Sequence, residues 1–457
     1  MTAPHDLSPV REPRRGVLPK VLLAIVLVAM FVGGIASFFW DDIRGLGGGI
    51  GSPEVRGEIL WESDRLAAQL GPGGWVTHPG EGGDYVARNV RTDEQWTFGE
   101  AVAQREITAD GVVLQPDEHT LRVQREGSTQ TATTEQIADA HGDDDLWPGA
   151  DIELVGVSDE HVAALTCLAP SRAGLNDDVE GGTRVLAGIA LEDASVAWTH
   201  DTEVPCGIDS PTMAYPSTLP AQQYLLVEES EEQSHAVDLA TGEVVREWTG
   251  TRRSDLTIQG EHVLEPKGED AVAWRSLATG KALATVECAG ARAGDPQEIT
   301  RQLGPEVTPF VECRDETHYV RGDDFVAVDA PPARGPVGSD EVSVGDTLVR
   351  HTGDGFALRD AVSGREVATV DVPEDAEIGR FGPLGRLISF TEVDTGGDRP
   401  TVHYRVVDST SGELVLDSGE GMRGGAKVTP EGEIMVTLDD EDPTGSRVWV
   451  AGTKGTS

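Results

Sequence analysis

Ala236-Val-Asp-Leu-Ala-Thr-Gly-Glu-Val-Val245 is the stretch on which the reading of this chain turns. Two short apolar runs flank an Asp-x-x-Thr-Gly turn. Asp238 can accept hydrogen bonds from the turn's backbone amides. Gly242 supplies the positive φ that a side chain resists. The same pattern returns three times, as Trp274-Arg-Ser-Leu-Ala-Thr-Gly-Lys-Ala-Leu283, Leu358-Arg-Asp-Ala-Val-Ser-Gly-Arg-Glu-Val367 and Val406-Val-Asp-Ser-Thr-Ser-Gly-Glu-Leu-Val415. The turn glycines Gly242, Gly280, Gly364 and Gly412 are separated by 38, 84 and 48 positions, the middle gap being twice 42. A period of about 40–50 residues built from short strands predicts a β-propeller.

Working outward, strand-rich units fall at about 75–98, 104–135, 152–200, 222–248, 257–286, 307–337, 346–370, 386–416 and 433–451. Unit 307–337 is the least regular and reads as an elaboration of its neighbours. The expected fold is therefore all-β, a propeller of eight four-stranded blades, with seven as the alternative. The last unit shows only two clear strands, and an orphan strand, Val55-Arg-Gly-Glu-Ile-Leu-Trp61, stands far upstream. Pairing the two would close the ring and remove two exposed sheet edges.

Val21 to Trp40 carries no charge. Twenty residues at 1.5 Å rise span about 30 Å, the thickness of a bilayer's hydrocarbon core. Arg11, Arg14, Arg15 and Lys20 precede this run, and Asp41 and Asp42 follow it. The charge bias predicts one transmembrane helix with a cytoplasmic N-terminus. A cleaved signal peptide would have a shorter apolar run and a small-residue exit, where Phe38, Phe39 and Trp40 stand. The expected organisation is a cytoplasmic tail over 1–16, the anchor over 17–40, a Gly-rich linker over 41–53 and an extracytoplasmic propeller over 54–457. Apart from the anchor, nothing reads as helical.

The chain of 457 residues has a formal charge of −44; residues 1–20 carry +2, which leaves −46 beyond them. Such a body repels nucleic acid. The four cysteines, Cys167, Cys206, Cys288 and Cys313, all follow the anchor, where disulfides persist. Chain proximity favours the pairs 167–206 and 288–313 over the two other connectivities.

Val237 to Trp248, with its Asp, its Thr-Gly turn and its later Trp, resembles the repeat of pyrroloquinoline-quinone (PQQ) dehydrogenase propellers. Ala190–Trp198 and Val90–Trp96 look like variants. The resemblance implies the propeller fold, with a quinone on the ring axis stacked by a Trp, faced by a disulfide of adjacent cysteines and bound through calcium. This chain has no adjacent cysteines, so PQQ is not expected, and Trp96, Trp198 and Trp248 are expected to dock between blades.

Other chemistry is thin. No Gly-x-Ser-x-Gly elbow or His-Glu-x-x-His helix occurs. The eleven histidines are scattered and carry no motif. Asp143, Asp144 and Asp145 are the weak calcium candidates, followed by Asp439, Asp440, Glu441 and Asp442. Consecutive acids point apart, whereas calcium needs six to eight converging oxygens. Gly/Asp-rich insertions at 139–149 and 171–182 break the repeat, and such loops carry function more often than strands do. The expected function is a non-enzymatic, membrane-anchored binding scaffold with a protein or small-molecule partner on the propeller rim. The alternative is a quinone-dependent dehydrogenase with its site on the axis.

Overall fold

The computed structural model describes residues 56–452, less a set of loop segments of which the longest are 170–181, 207–220 and 329–340. The described residues form nine separate sheets, antiparallel but for one added strand. In chain order their blades fall at 69–98, 106–133, 147–205, 224–249, 257–287, 292–328, 341–370, 377–417 and 426–451. The ring therefore has nine blades, not eight or seven. The discounted unit is blade 6, built from Arg292–Ala293, Phe310–Glu312, Thr317–Arg321 and Asp324–Val328. Its first strand is two residues long and lies far upstream of the second, which hid its repeat.

What makes these sheets one ring is the packing between them. A strand offers side chains to both faces alternately, and here both faces are covered by neighbouring blades. Nine apolar clusters fill nine seams among the described residues. Trp75 and Trp96 meet Val113 between blades 1 and 2. Phe356 and Phe390 meet between blades 7 and 8, with ring centroids 5.2 Å apart. Leu70 and Val76 of blade 1 meet Met435 and Val450 of blade 9, which closes the circle. Each fully buried side chain of this size contributes roughly 1.5–3 kcal/mol.

The ring is also closed by hydrogen bonds. Ile59–Ser63 pairs antiparallel with Arg447–Ala451 and supplies the outer strand of blade 9. Just before it, Arg56–Gly57 pairs with Asp417 and Leu416 of blade 8. The orphan strand thus straddles two blades instead of joining one.

The repeated turn is uniform. Gly242, Gly280, Gly364 and Gly412 have φ between 66° and 75°. In each turn the glycine N–H donates to the carbonyl four residues before it, as Gly242 N does to Asp238 O at 2.8 Å. Asp238 Oδ1 accepts from Ala240 N and Thr241 N. Blades 1 and 3 make the same turn without glycine, placing Asp93 at φ 65° and Ala194 at φ 56°.

The chain also holds an α-helix, Thr134–His141, where none was expected. Thr133 and Gln136 form a reciprocal capping box, and Gly142 ends the helix in the left-handed region. Ile137 and Ala138 anchor it in the seam between blades 2 and 3. The apolar run Val21–Trp40 lies outside the described residues; among those described, no helix is long and apolar enough to cross a membrane.

Candidate functional site

Strands within a blade alternate in direction. Turns from second to third strands, and connections between blades, therefore share one rim. Turns from third to fourth strands share the other, and the six copies of the repeated turn lie there. The first rim is the elaborated one. It carries the helix, the extra strand Trp147–Pro148 and the ends of the longest strands, His161–Ala169 and Val196–Pro205. It also carries both disulfides. Cys167–Cys206 lies within blade 3, and Cys288–Cys313 joins blade 5 to blade 6. These are the pairs that chain proximity favours.

At this rim the seam between blades 3 and 4 changes character. Its interior is apolar: Val155, Leu165 and Leu186 of blade 3 meet Leu225, Val227 and Val237 of blade 4. Residues opposite one another on neighbouring strands share a face. Glu153 stands opposite Leu165, His200 opposite Leu186 and His235 opposite Val227. These titratable groups therefore continue the same seam toward the rim, together with Arg184, two residues from Leu186. The His200 and His235 rings meet edge-on with centroids 5.1 Å apart.

Burial and the adjacent His200 push His235 down to about 4. Burial lowers His200 too, opposed by Asp201. Burial raises Glu153, opposed by Arg184. Both imidazoles are therefore neutral at pH 7. The helix end lies on the other face of blade 3, toward blade 2, with His141 Nε2 3.4 Å from Asp201 Oδ1, the register partner of Val185. Perturbed groups gathered in a seam mark a functional candidate on physical grounds. Alternation showed each histidine's place in its own strand and gave no sign that residues 35 apart would meet.

Three other polar clusters pair within the ring. Glu265 is buried between blades 4 and 5. It accepts from Arg246 Nη2 at 2.9 Å, Trp248 Nε1 at 2.6 Å and Arg275 Nε at 2.6 Å. Arg91 pairs with the buried Glu433 across the closing seam. His403 lies 2.6 Å from Asp417 on blade 8, beside the Arg405–Glu392 pair at 3.0 Å. One group among the described residues has the spacing of metal ligands: Cys313, Glu316 and His318. The Cys313 sulfur is bonded to Cys288, and His318 Nε2 sits 2.9 Å from Glu316 Oε1. That leaves no thiolate, and His318 and Glu316 face each other in place of an open ligand set.

Among the described residues, the two disulfides and the three strand-closing tryptophans do not supply the pocket that the repeat's resemblance implies for a quinone. The disulfides join cysteines 39 and 25 positions apart, not neighbours. Trp96 and Trp248 are buried in seams, and Trp198 packs in one and donates through Nε1 to Leu239 O at 3.0 Å, so none offers a free face for stacking. Asp143, Asp144 and Asp145 lie outside the described residues, and so do Asp439, Asp440, Glu441 and Asp442.

No family model matches the chain, and no curated protein matches it. Solved structures do. BamB from Moraxella catarrhalis is 11% identical, with 77% of this chain and 96% of that chain covered at a TM-score of 0.35. The computationally designed Ika8 protein is 10% identical over 88% and 98%, at 0.33. The C-terminal WD40 domain of Sif2 is 8% identical over 90% and 100%, at 0.34. The fold assignment rests on the sheet order and the nine seams.

Proposed function

We propose that this chain is a membrane-anchored, extracytoplasmic propeller that docks a protein partner on its elaborated rim and performs no catalysis. The observation that carries the reading is the inequality of the two rims. One repeats the same tight turn in six of the nine blades. The other gathers the helix, the longest strands and both disulfides. Rigid scaffolds place recognition on such loops. The disulfides support an oxidising compartment. The basic-then-apolar order before residue 41 supports an anchor, and the ring-closing strand begins within 20 residues of that run's end.

Photo-crosslinkers placed in native cell envelopes test this. Glu135 and Glu269 are exposed on the elaborated rim, and Thr279 and Ser363 are exposed on the turn rim. The reading predicts discrete adducts from the first pair and none from the second. Adducts from the turn rim alone, or equal labelling of both rims, would contradict it.

A further inference from the structure

We propose that the seam between blades 3 and 4 is an acid-operated hinge, in which protonation of His200 and His235 parts the two blades at the elaborated rim. This inference does not depend on the docking reading.

The argument begins with what each seam contains. Among the ring contacts of the described residues, His200 with His235 is the one pair of imidazoles. Here two imidazoles face each other at 5.1 Å, one from each blade. Neutral rings pack there as modest aromatic surface. Protonated, each would lose its hydration to the seam, and the pair would repel across it. Opening the seam restores water to both.

The groups around the pair set how strongly acid acts. On blade 3, Arg184 holds a permanent positive charge on the same face, which disfavours further cations. Asp201, next to His200 in the strand, is exposed and opposes the shift weakly. On blade 4, Glu247 stands opposite His235 in register but is exposed, so solvent screens it. Val227, on His235's other side, is apolar. Glu153 acts in the other direction, because its raised carboxyl takes a proton in the closed state first. It is one group against two, and Arg184 holds its shift in check.

The sign follows. Both imidazoles bind protons less readily in the closed seam than in the open one. Closure is at full strength above pH 6.5 and weakens as pH falls toward the closed-state value of about 4. An imidazole at 6.5 when open and about 4 when closed shifts the opening equilibrium about thirtyfold between pH 7.5 and pH 5. The disulfide Cys167–Cys206 lies wholly in blade 3, so it holds that blade together without locking the seam.

Leu225 and Leu226 make the test internal. They are adjacent and buried, but Leu225 faces the seam with blade 3 and Leu226 the seam with blade 5. Leu225→Cys and Leu226→Cys would each be introduced into the full-length chain, and maleimide labelling rates compared at pH 7.5 and pH 5. The ratio of the two rates cancels the thiol's own pH dependence. It should rise about thirtyfold at pH 5. His200→Gln with His235→Gln should abolish the rise. A constant ratio, or a rise that survives the double substitution, would overturn the hinge. Should the double variant fail to fold, NMR of labelled histidine in the otherwise unaltered chain decides. One imidazole titrating near 4 and a second below 6.5 are expected, and every imidazole titrating near 6.5 would overturn it.

Discussion

The four turn glycines offer a graded experiment on what holds the ring together. Each has positive φ, so Gly→Ala at any of them forces an alanine into the left-handed region, at about 1–2 kcal/mol. Stiffening the unfolded chain returns about 0.4–1 kcal/mol. Surroundings separate the four. A Cβ on Gly364 meets nothing within 4 Å, and one on Gly280 meets only Arg246 Nη1 at 3.5 Å. A Cβ on Gly242 would lie 2.6 Å from the Trp198 ring. That ring cannot retreat, because Gly188 backs it so closely that a Cβ there would lie 2.0 Å away. A Cβ on Gly412 would come within 2.1 Å of the Ala368 methyl, which has no rotamer to change. Overpacking of this kind adds about 1–3 kcal/mol. Gly364→Ala and Gly280→Ala should therefore cost about 1 kcal/mol, and Gly242→Ala and Gly412→Ala about 2–4 kcal/mol. Urea unfolding of the protein, followed by tryptophan fluorescence, measures all four. Equal losses across the series, or a larger loss at Gly364 than at Gly242, would refute the claim that these turns dock against neighbouring strands.

Glu265→Ala should cost about 3–5 kcal/mol, since it leaves Arg246 and Arg275 facing a buried gap; adding Arg246→Met should recover part of the loss in the same unfolding assay. Cys167→Ser should lower stability by about 3–4 kcal/mol through the 39-residue separation it releases, with a similar loss from Cys288→Ser. An unchanged unfolding midpoint would argue that the bond is absent in the native protein. Deleting residues 56–63 should lower the melting temperature of the whole ring, because it unpairs the outer strand of blade 9 and uncovers Trp61's place in the closing seam. Protease added to intact, wall-stripped cells should digest the chain beyond residue 60, and protection of that region would place the propeller on the other side of the membrane.

Much of the architecture was legible because propeller turns are chemically constrained. An Asp or Ser that can cap amides, followed four residues later by a glycine, marks the end of a third strand. Asn89 and Ala190 begin the same turn, but Asp93 and Ala194 stand where glycine would be, so those copies read only as variants. Blade 6 was underrated because a 16-residue stretch separates its first two strands and a disulfide, not periodicity, holds its elaborated-rim end to blade 5. The helix was missed because eight residues give too short an apolar period; the readable signal was the Thr133-x-x-Gln136 capping box. The histidine seam was not legible at all. Alternation says that His235 shares a face with Val237, but not that this face meets blade 3, nor that His200 waits there. Seams are properties of the closed ring, and only ring closure assigns them.

Closure is accordingly the claim to test most directly. Ser63 and Val448 are register partners across the closing strand pair. Ser63→Cys with Val448→Cys would add a third disulfide, and a protease site inserted at the exposed turn residue Gly250 would cut the chain between blades 4 and 5. Each native disulfide lies on one side of that cut. On a non-reducing denaturing gel, the cleaved double-cysteine protein should run as one covalently joined species that reduction splits in two. Two separate fragments before reduction, with the introduced thiols still free, would contradict a nine-bladed ring closed by its N-terminal strand.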